Sequence, residues 1–156
     1  ADWSIAAEPA IPEDYPKPIR HLSASDGSTL NLGRTRLRFF QTPGETPGVL
    51  STRFTVYDNG YPHEAFLFGG ADLNFAGIQQ TELYINSVER LMQLEGIEVN
   101  IPNHPEFGEV FERYEILLER EDGDFHPFVD PESWDAWLEI LMLNAQAKLE
   151  RERLAN

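Results

Sequence analysis

The stretch Thr42-Pro43-Gly44-Glu45-Thr46-Pro47-Gly48 doubles the tripeptide Thr-Pro-Gly around a single glutamate. Each proline fixes its own φ and turns the residue before it away from the helical region, while each glycine is free to take the positive φ that closes a turn. The sequence therefore predicts a rigid, tightly turned loop between two strand-like runs at 37–40 and 49–56. Glu45 is held at its centre by backbone that has little freedom to move.

Working outward, Asp26-Gly27 opens a hairpin with strands at 28–32 and 35–40 joined at Gly33-Arg34. Leu30, Leu32, Leu37 and Phe39 alternate along it, as a half-buried sheet requires. After the loop, a strand at 52–57 turns Phe54 and Val56 inward, and Asp58-Asn59-Gly60 returns the chain into a strand at 64–68. Gly69-Gly70-Ala71-Asp72 breaks the sheet ahead of a helix at 79–95. Its inner stripe is Tyr84, Val88, Leu91, Met92 and Glu95, and Gly96 stands as the C′ glycine. Ile97, Val99 and Ile101 form a short strand ended by Pro102. A helix at 107–120 carries Val110, Phe111, Tyr114, Leu117 and Leu118 at helical spacing, and Asp122-Gly123-Asp124 stops it.

The last helix has the plainest start: Asp130 as N-cap, Pro131 at the first position and Glu132 in the first turn. Trp134, Trp137, Leu138, Leu141 and Met142 give it an apolar stripe, and beyond Lys148 the run of Glu and Arg predicts fraying. At the other end, residues 1–8 look helical with Trp3 as anchor. Pro9, Pro12, Pro16 and Pro18 make 9–22 an extended connector. The chain divides into a proline-rich arm at 1–25 and a folded unit at 26–156.

At 156 residues the chain has enough length for one domain with a substantial core, and its 10 Phe, 5 Tyr and 3 Trp supply bulky material for it. A net charge of −15 with 12 Lys and Arg repels a phosphate backbone, so no nucleic-acid partner is expected. The acidic residues are spread along the chain, as on a solubilising surface. With no cysteine, disulfides, thiolate catalysis and cysteine-held zinc are excluded. No apolar run reaches the roughly 20 residues of a membrane span, so no membrane partner is expected, and no signal peptide opens the chain.

The frame Thr-Pro-Gly-X-Thr-Pro-Gly between two strands resembles the metal-ligand loop of the metallo-β-lactamase superfamily, in which X is a zinc-bound histidine; here X is Glu45. The resemblance continues through the strand at 52–57, the Asp58-Asn59-Gly60 turn, the strand ending at Gly69-Gly70, and Asn103-His104-Pro105 after a further strand. It spans residues 30–128 and covers the second half of that fold. The family's His-X-His-X-Asp-His motif belongs upstream and is absent from these residues. The resemblance implies an α/β fold, the C-terminal half of an αβ/βα sandwich, with a mixed sheet of about five strands and helices on one face.

It also implies a candidate metal set. Glu45 takes the place of the loop histidine, His104 that of the family's late histidine, and Asp72 lies one or two residues from the usual bridging aspartate. Read from the residues alone, Glu45 and His104 are equally members of solvent-facing loops. A hydrolytic zinc centre needs three or more protein ligands and an open position for water. This set offers one imidazole and two carboxylates, so zinc is expected to bind weakly or not at all to this chain alone.

The leading expectation is the C-terminal part of a zinc hydrolase cleaving an amide or ester in a small-molecule substrate, catalytic only once a complementary N-terminal half is present. The alternative is a non-catalytic, degenerate relative acting as a binding or assembly module. Either way an uncovered apolar face predicts that complementary half, or self-association into an oligomer, as partner. A periplasmic or secreted location is what the family resemblance would imply. His63 reads as a strand-end residue, His126 before Pro127 as packing or a turn, and His21 belongs to no constellation. No Gly-X-Ser-X-Gly is present, and Asp122-Gly123-Asp124 lacks the remaining positions of a calcium loop.

Overall fold

The computed structural model describes residues 21–155. The predicted helix at 1–8 and residues 1–20 of the proline-rich arm lie outside the described residues. Five strands form one mixed sheet in the order β1 (Thr29–Leu32), β2 (Thr35–Gln41), β3 (Leu50–Asp58), β4 (Tyr61–Phe68) and β5 (Val99–Pro102). The first four pair antiparallel in succession, and β5 adds parallel to β4. A parallel neighbour needs a crossover. It is supplied by α1 (Ile78–Leu91), and α2 (Val110–Leu118) and α3 (Pro131–Leu154) follow. This is the expected α/β unit.

Pairing sets the faces. Phe40 stands across from Ser51, and Phe66 from Arg53, so these side chains share one face. α1 and α3 pack on it. Phe40, Phe66 and Phe68 from the sheet meet Tyr84, Val88 and Leu91 from α1 and Trp134, Leu138, Leu141 and Ala145 from α3. The Phe66 ring lies 5.1 Å from Trp134 and 5.4 Å from Phe40, spacings at which tilted aromatic pairs attract beyond the area they bury. The opposite face carries Leu37, Phe39, Phe54, Val56, Leu67 and Ile101, each only half-buried.

Asp130 caps α3 as expected, its carboxylate accepting from the Ser133 amide at 3.2 Å, with Pro131 in the first turn. The end of α3 differs from the expectation. The helix does not fray beyond Lys148 but continues to Leu154, because Glu152 is bound on three sides. It pairs with Lys148 at 3.0 Å, accepts the Thr81 hydroxyl at 2.7 Å and accepts the Gly77 amide at 3.0 Å.

Two more boundaries move. α1 ends at Leu91, so Met92 and Glu95 are exposed, and Gly96, at φ 74°, serves the turn into β5 instead of closing the helix. The expected helix at 107–120 resolves into a 3₁₀ turn at Pro105–Gly108 and a shorter α2, separated by Glu109 in a left-handed conformation. None of the apolar residues of α2 is buried; Phe111 and Leu118 are 63% and 62% exposed. Its spacing is helical, yet the layer it would pack against is not among the described residues.

Candidate functional site

β2, β4 and β5 run in the same direction, so the segments that follow them emerge at one edge of the sheet. Glu45 follows β2, Asp72 follows β4 and His104 follows β5. Sheet topology thus brings all three expected positions to a single edge, on irregular backbone held by regular elements, where functional residues commonly sit.

The loop at 42–48 is fastened from two sides. On the sheet side, the Thr42 amide donates to the Val49 carbonyl at 3.1 Å. The buried Thr42 and Ser51 hydroxyls share a hydrogen bond at 2.7 Å, and Ser51 Oγ also accepts the Gly69 amide at 3.1 Å. On the helix side, Gln80, Tyr84 and Ser87 occupy one face of α1. Gln80 Nε2 donates to the Glu45 carbonyl at 2.9 Å and Ser87 Oγ donates to the Pro43 carbonyl at 2.6 Å. The glycines play a different part from the one expected. Neither Gly44 nor Gly48 adopts a positive φ in the left-handed range. Gly44 is needed because a Cβ there would sit 2.7 Å from Tyr84 Cβ and 2.8 Å from its Cα.

Asn103 ties the other two segments together. Its amide donates to the Phe68 carbonyl at 3.1 Å, and its side-chain oxygen accepts from the Ala71 amide at 3.1 Å. Tyr84 closes the set by donating its hydroxyl to the Ala71 carbonyl at 3.0 Å. Burial, together with the negative charges of Asp72 and Glu45, pushes the Tyr84 phenol far up, so it remains a donor across the working pH range.

Within this frame Glu45 Oε1 lies 3.9 Å from His104 Nε2. Glu45 Oε2 is buried and has no hydrogen-bond partner. A buried carboxylate oxygen without a donor is costly, and such an atom beside an imidazole is a place where a cation would be welcome. Asp72 instead turns back on its own backbone, its Oδ1 accepting from the Leu73 amide at 2.7 Å. His104 also stands 3.9 Å from Glu106 and edge-on to the Phe107 ring at 5.6 Å.

Among the described residues no group of three His, Asp or Glu is arranged to hold a metal ion. The donors therefore fit part of a metal centre, one imidazole and one carboxylate with a second carboxylate turned aside, and fall short of a complete one. Gln80, Tyr84, Ser87 and Asn103 were not legible as site residues. Helical spacing puts Gln80, Tyr84 and Ser87 on one face of α1, but nothing in it directs that face to the loop.

The remaining histidines lie elsewhere. His63 Nδ1 is 3.3 Å from Glu98 Oε2 on the first half of β4, and His126 stacks near Phe128 in the approach to α3. No helix among the described residues is long and apolar enough to cross a membrane.

The sequence matches no family model and no curated protein. Solved structures do match. The chain is similar to BJP-1, a subclass B3 metallo-β-lactamase of Bradyrhizobium japonicum, at 23% identity and a TM-score of 0.77 over 90% of this chain and 55% of that one. It is similar to the native FEZ-1 metallo-β-lactamase of Legionella gormanii at 23% identity and a TM-score of 0.73, over 82% and 50%. The Rm3 metallo-β-lactamase matches at 25% identity and a TM-score of 0.73, over 89% and 54%. The chain spans about half the length of the structures it matches, and its fold is that of half a metallo-β-lactamase. The Thr42–Gly48 frame and Asn103-His104-Pro105 mark that half as the C-terminal one.

Proposed function

We propose that this chain, which carries the fold of the C-terminal half of a metallo-β-lactamase, supplies part of the metal site of a hydrolase and is incomplete as a catalyst by itself. The observation that carries the reading is the orphaned, buried Glu45 Oε2 beside His104, inside a loop held by Thr42, Ser51, Gln80 and Ser87. Glu45 and His104 would hold a zinc ion jointly with ligands from a complementary half, and Asp72 would join them after a side-chain rotation. A bound zinc ion would supply Lewis acidity and an acidified water for cleaving an amide or ester. The chain's own residues position: Tyr84 and Asn103 fix the Ala71 segment, and α1 fixes the Glu45 backbone.

A binding or assembly role without catalysis is the second reading. It is favoured by the carboxylate at position 45, which lowers the net positive charge of any metal site and so its power to acidify water. Zinc titration by calorimetry separates the two. The isolated chain should bind zinc weakly or not at all. Addition of a complementary half bearing His-X-His-X-Asp-His should produce tight binding that His104→Ala weakens. Tight, stoichiometric binding by the isolated chain, lost in Glu45→Ala, would overturn the incomplete-centre reading; no metal uptake in the reconstituted pair would favour the non-catalytic one.

The same reading gives the chain a partner surface. Leu37, Phe39, Phe54 and Leu67 on the sheet, with Phe111, Tyr114 and Leu118 on α2, are among the apolar residues that lack full cover. A complementary half would bury them. In its absence sedimentation should show concentration-dependent association, and a stable monomer at all concentrations would count against the proposal.

A further inference from the structure

The helix-covered face of the sheet changes character toward β1. Arg36 and Arg38 alternate with Leu37 and Phe39 on β2, and Arg38 stands directly across from Arg53 on one side and Thr29 on the other. Arg53 is in turn across from Phe66, which places the whole row on the face bearing α1 and α3. The row borders a cleft of about 650 Å³ that Arg36, Thr55 and Glu64 also line.

Like charges directly opposite in an antiparallel pair repel, so Arg38 and Arg53 together call for anions. Glu64 answers one of them. Its Oε2 lies 2.7 Å from Arg53 Nε, its Oε1 accepts the Thr55 hydroxyl at 2.7 Å, and the Arg53 guanidinium holds the carboxyl below its ordinary range. Arg38 makes no salt bridge among the described residues, though its charge acts on Asp26. Its guanidinium sits over the Phe40 ring, 5.3 Å from the centroid, and Arg90 sits over the same ring at 5.4 Å. Arg90 is neutralised by a two-pronged pair with Asp26 at 2.8 and 2.9 Å. Arg36 and Arg38 are exposed and form no ion pair among the described residues. Asp26, whose carboxylate also feels Arg38, is thus already gripped by Arg90, and Arg36 and Arg38 stand on one face of one strand without a full counter-charge between them, in a chain whose net charge is −15.

We propose that this cleft binds the phosphate group of a small organic molecule, with Arg36 and Arg38 as its clamps. Residues i and i+2 of a strand project from the same face about 7 Å apart, which lets two guanidinium forks straddle one tetrahedral dianion. Arginine presents paired N–H donors in the geometry that phosphate oxygens accept. A compact anion responds to the local excess of positive charge within a Debye length of about 10 Å. An extended polyanion meets the negative field of the whole chain and is disfavoured. Arg36 lies near the start of β2 and Glu45 beyond its end, so the cleft is separate from the candidate metal site. It is also on the face opposite the one a complementary half would cover.

The test is calorimetric titration of the full chain with inorganic phosphate and with phenyl phosphate, at ionic strength held constant with sodium chloride. Arg36→Gln and Arg38→Gln are exposed, neutral replacements, and circular dichroism checks that each variant stays folded. Phenyl phosphate should bind saturably and more tightly than the free ion. Each variant should bind it about tenfold more weakly, the loss that accompanies removal of a charge-assisted hydrogen-bonding group. Arg153→Gln, at the far end of α3, should leave binding unchanged. Absence of saturable binding, preference for the inorganic ion, or equal weakening in Arg153→Gln and the two cleft variants would overturn the proposal.

Discussion

Ser87 Oγ donates a 2.6 Å hydrogen bond to the Pro43 carbonyl, fastening the middle of α1 to the loop that carries Glu45 across 44 residues of sequence. The bond replaces solvent at the Pro43 carbonyl. Removing the hydroxyl in Ser87→Ala leaves that carbonyl without a donor and should cost about 1–3 kcal/mol. Gly44→Ala should cost more, since its new methyl would fall 2.8 Å from the Tyr84 Cα and backbone would have to shift. Urea melts at unchanged slope test this order; a Gly44→Ala protein as stable as Ser87→Ala would show that the loop is not seated tightly on Tyr84.

The start and middle of α3 should respond differently to truncation. Asp130→Ala loses the cap to Ser133 and should cost about 1 kcal/mol. Trp134 is 2% exposed and packs on Phe66, so Trp134→Ala should cost about 3–5 kcal/mol through the cavity it leaves. Trp137 is only partly buried, and its replacement should fall between the two. Equal losses at positions 134 and 137 would mean that the helix sits rotated from the arrangement described.

Acid should unfold the chain through a small set of carboxylates. The Arg90 guanidinium holds Asp26 below the ordinary carboxylate range, Arg53 does the same for Glu64, and the Thr81 hydroxyl, with Lys148, does so for Glu152. Because each folded-state pKa is depressed, the unfolded chain takes up protons first. The stability these groups contribute is present above the unfolded value, about 4, and is lost as pH falls through the lower folded values. Thermal melts should therefore be flat near neutrality and fall steeply in this acid window, and Asp26→Asn, Glu64→Gln and Glu152→Gln should each be less stable at neutral pH and show a shallower fall. An unchanged acid slope in all three would place the sensitive groups elsewhere.

Position 45 is also the place to convert part of a metal site into a better one. Glu45→His would set a second imidazole near His104, and imidazole pairs bind borderline-soft cations such as zinc. Zinc should then raise the melting temperature of the isolated variant, in proportion to the logarithm of its concentration above the dissociation constant. Neither the native chain nor Glu45→Ala should show that rise. A zinc response equal in all three would mean that the ion is held at some other group.

Most of the fold was legible because its signals are local. The Asp58-Asn59-Gly60 turn, the alternation at Phe54 and Val56 and the Asp130-Pro131 cap each specify structure within a few residues. The grouping of Glu45, Asp72 and His104 as one candidate set came from the family resemblance and not from periodicity. What was not legible is long-range. Nothing in the spacing of Ser51, Gln80, Ser87 or Asn103 announces that they hold the site's backbone, because their partners lie on other elements. The exposure of α2 was not legible for a related reason: helical spacing of Phe111, Tyr114 and Leu118 fixes a face, while only a neighbouring layer decides whether that face is covered. The expected fraying after Lys148 failed because composition counts charges and does not show where Glu152 lands.

Glu152 gives the far end of the chain a hold on its middle. Its carboxylate reaches the Gly77 amide and the Thr81 hydroxyl at the first turn of α1, a helix start that has no capping side chain of its own. A negative group there also suits the positive end of the helix. One residue further on, Arg153 braces Glu82 at 3.0 Å. α1 thus behaves as a strut pinned at its first turn by the last turn of α3 and at its midpoint by the loop around Glu45. Cutting the chain before residue 150 would release one pin, and the slack would travel along α1 to Gln80, Tyr84 and Ser87. Clipping that removes Glu152 is therefore a perturbation of the loop at 42–48, transmitted mechanically through a helix that contains neither.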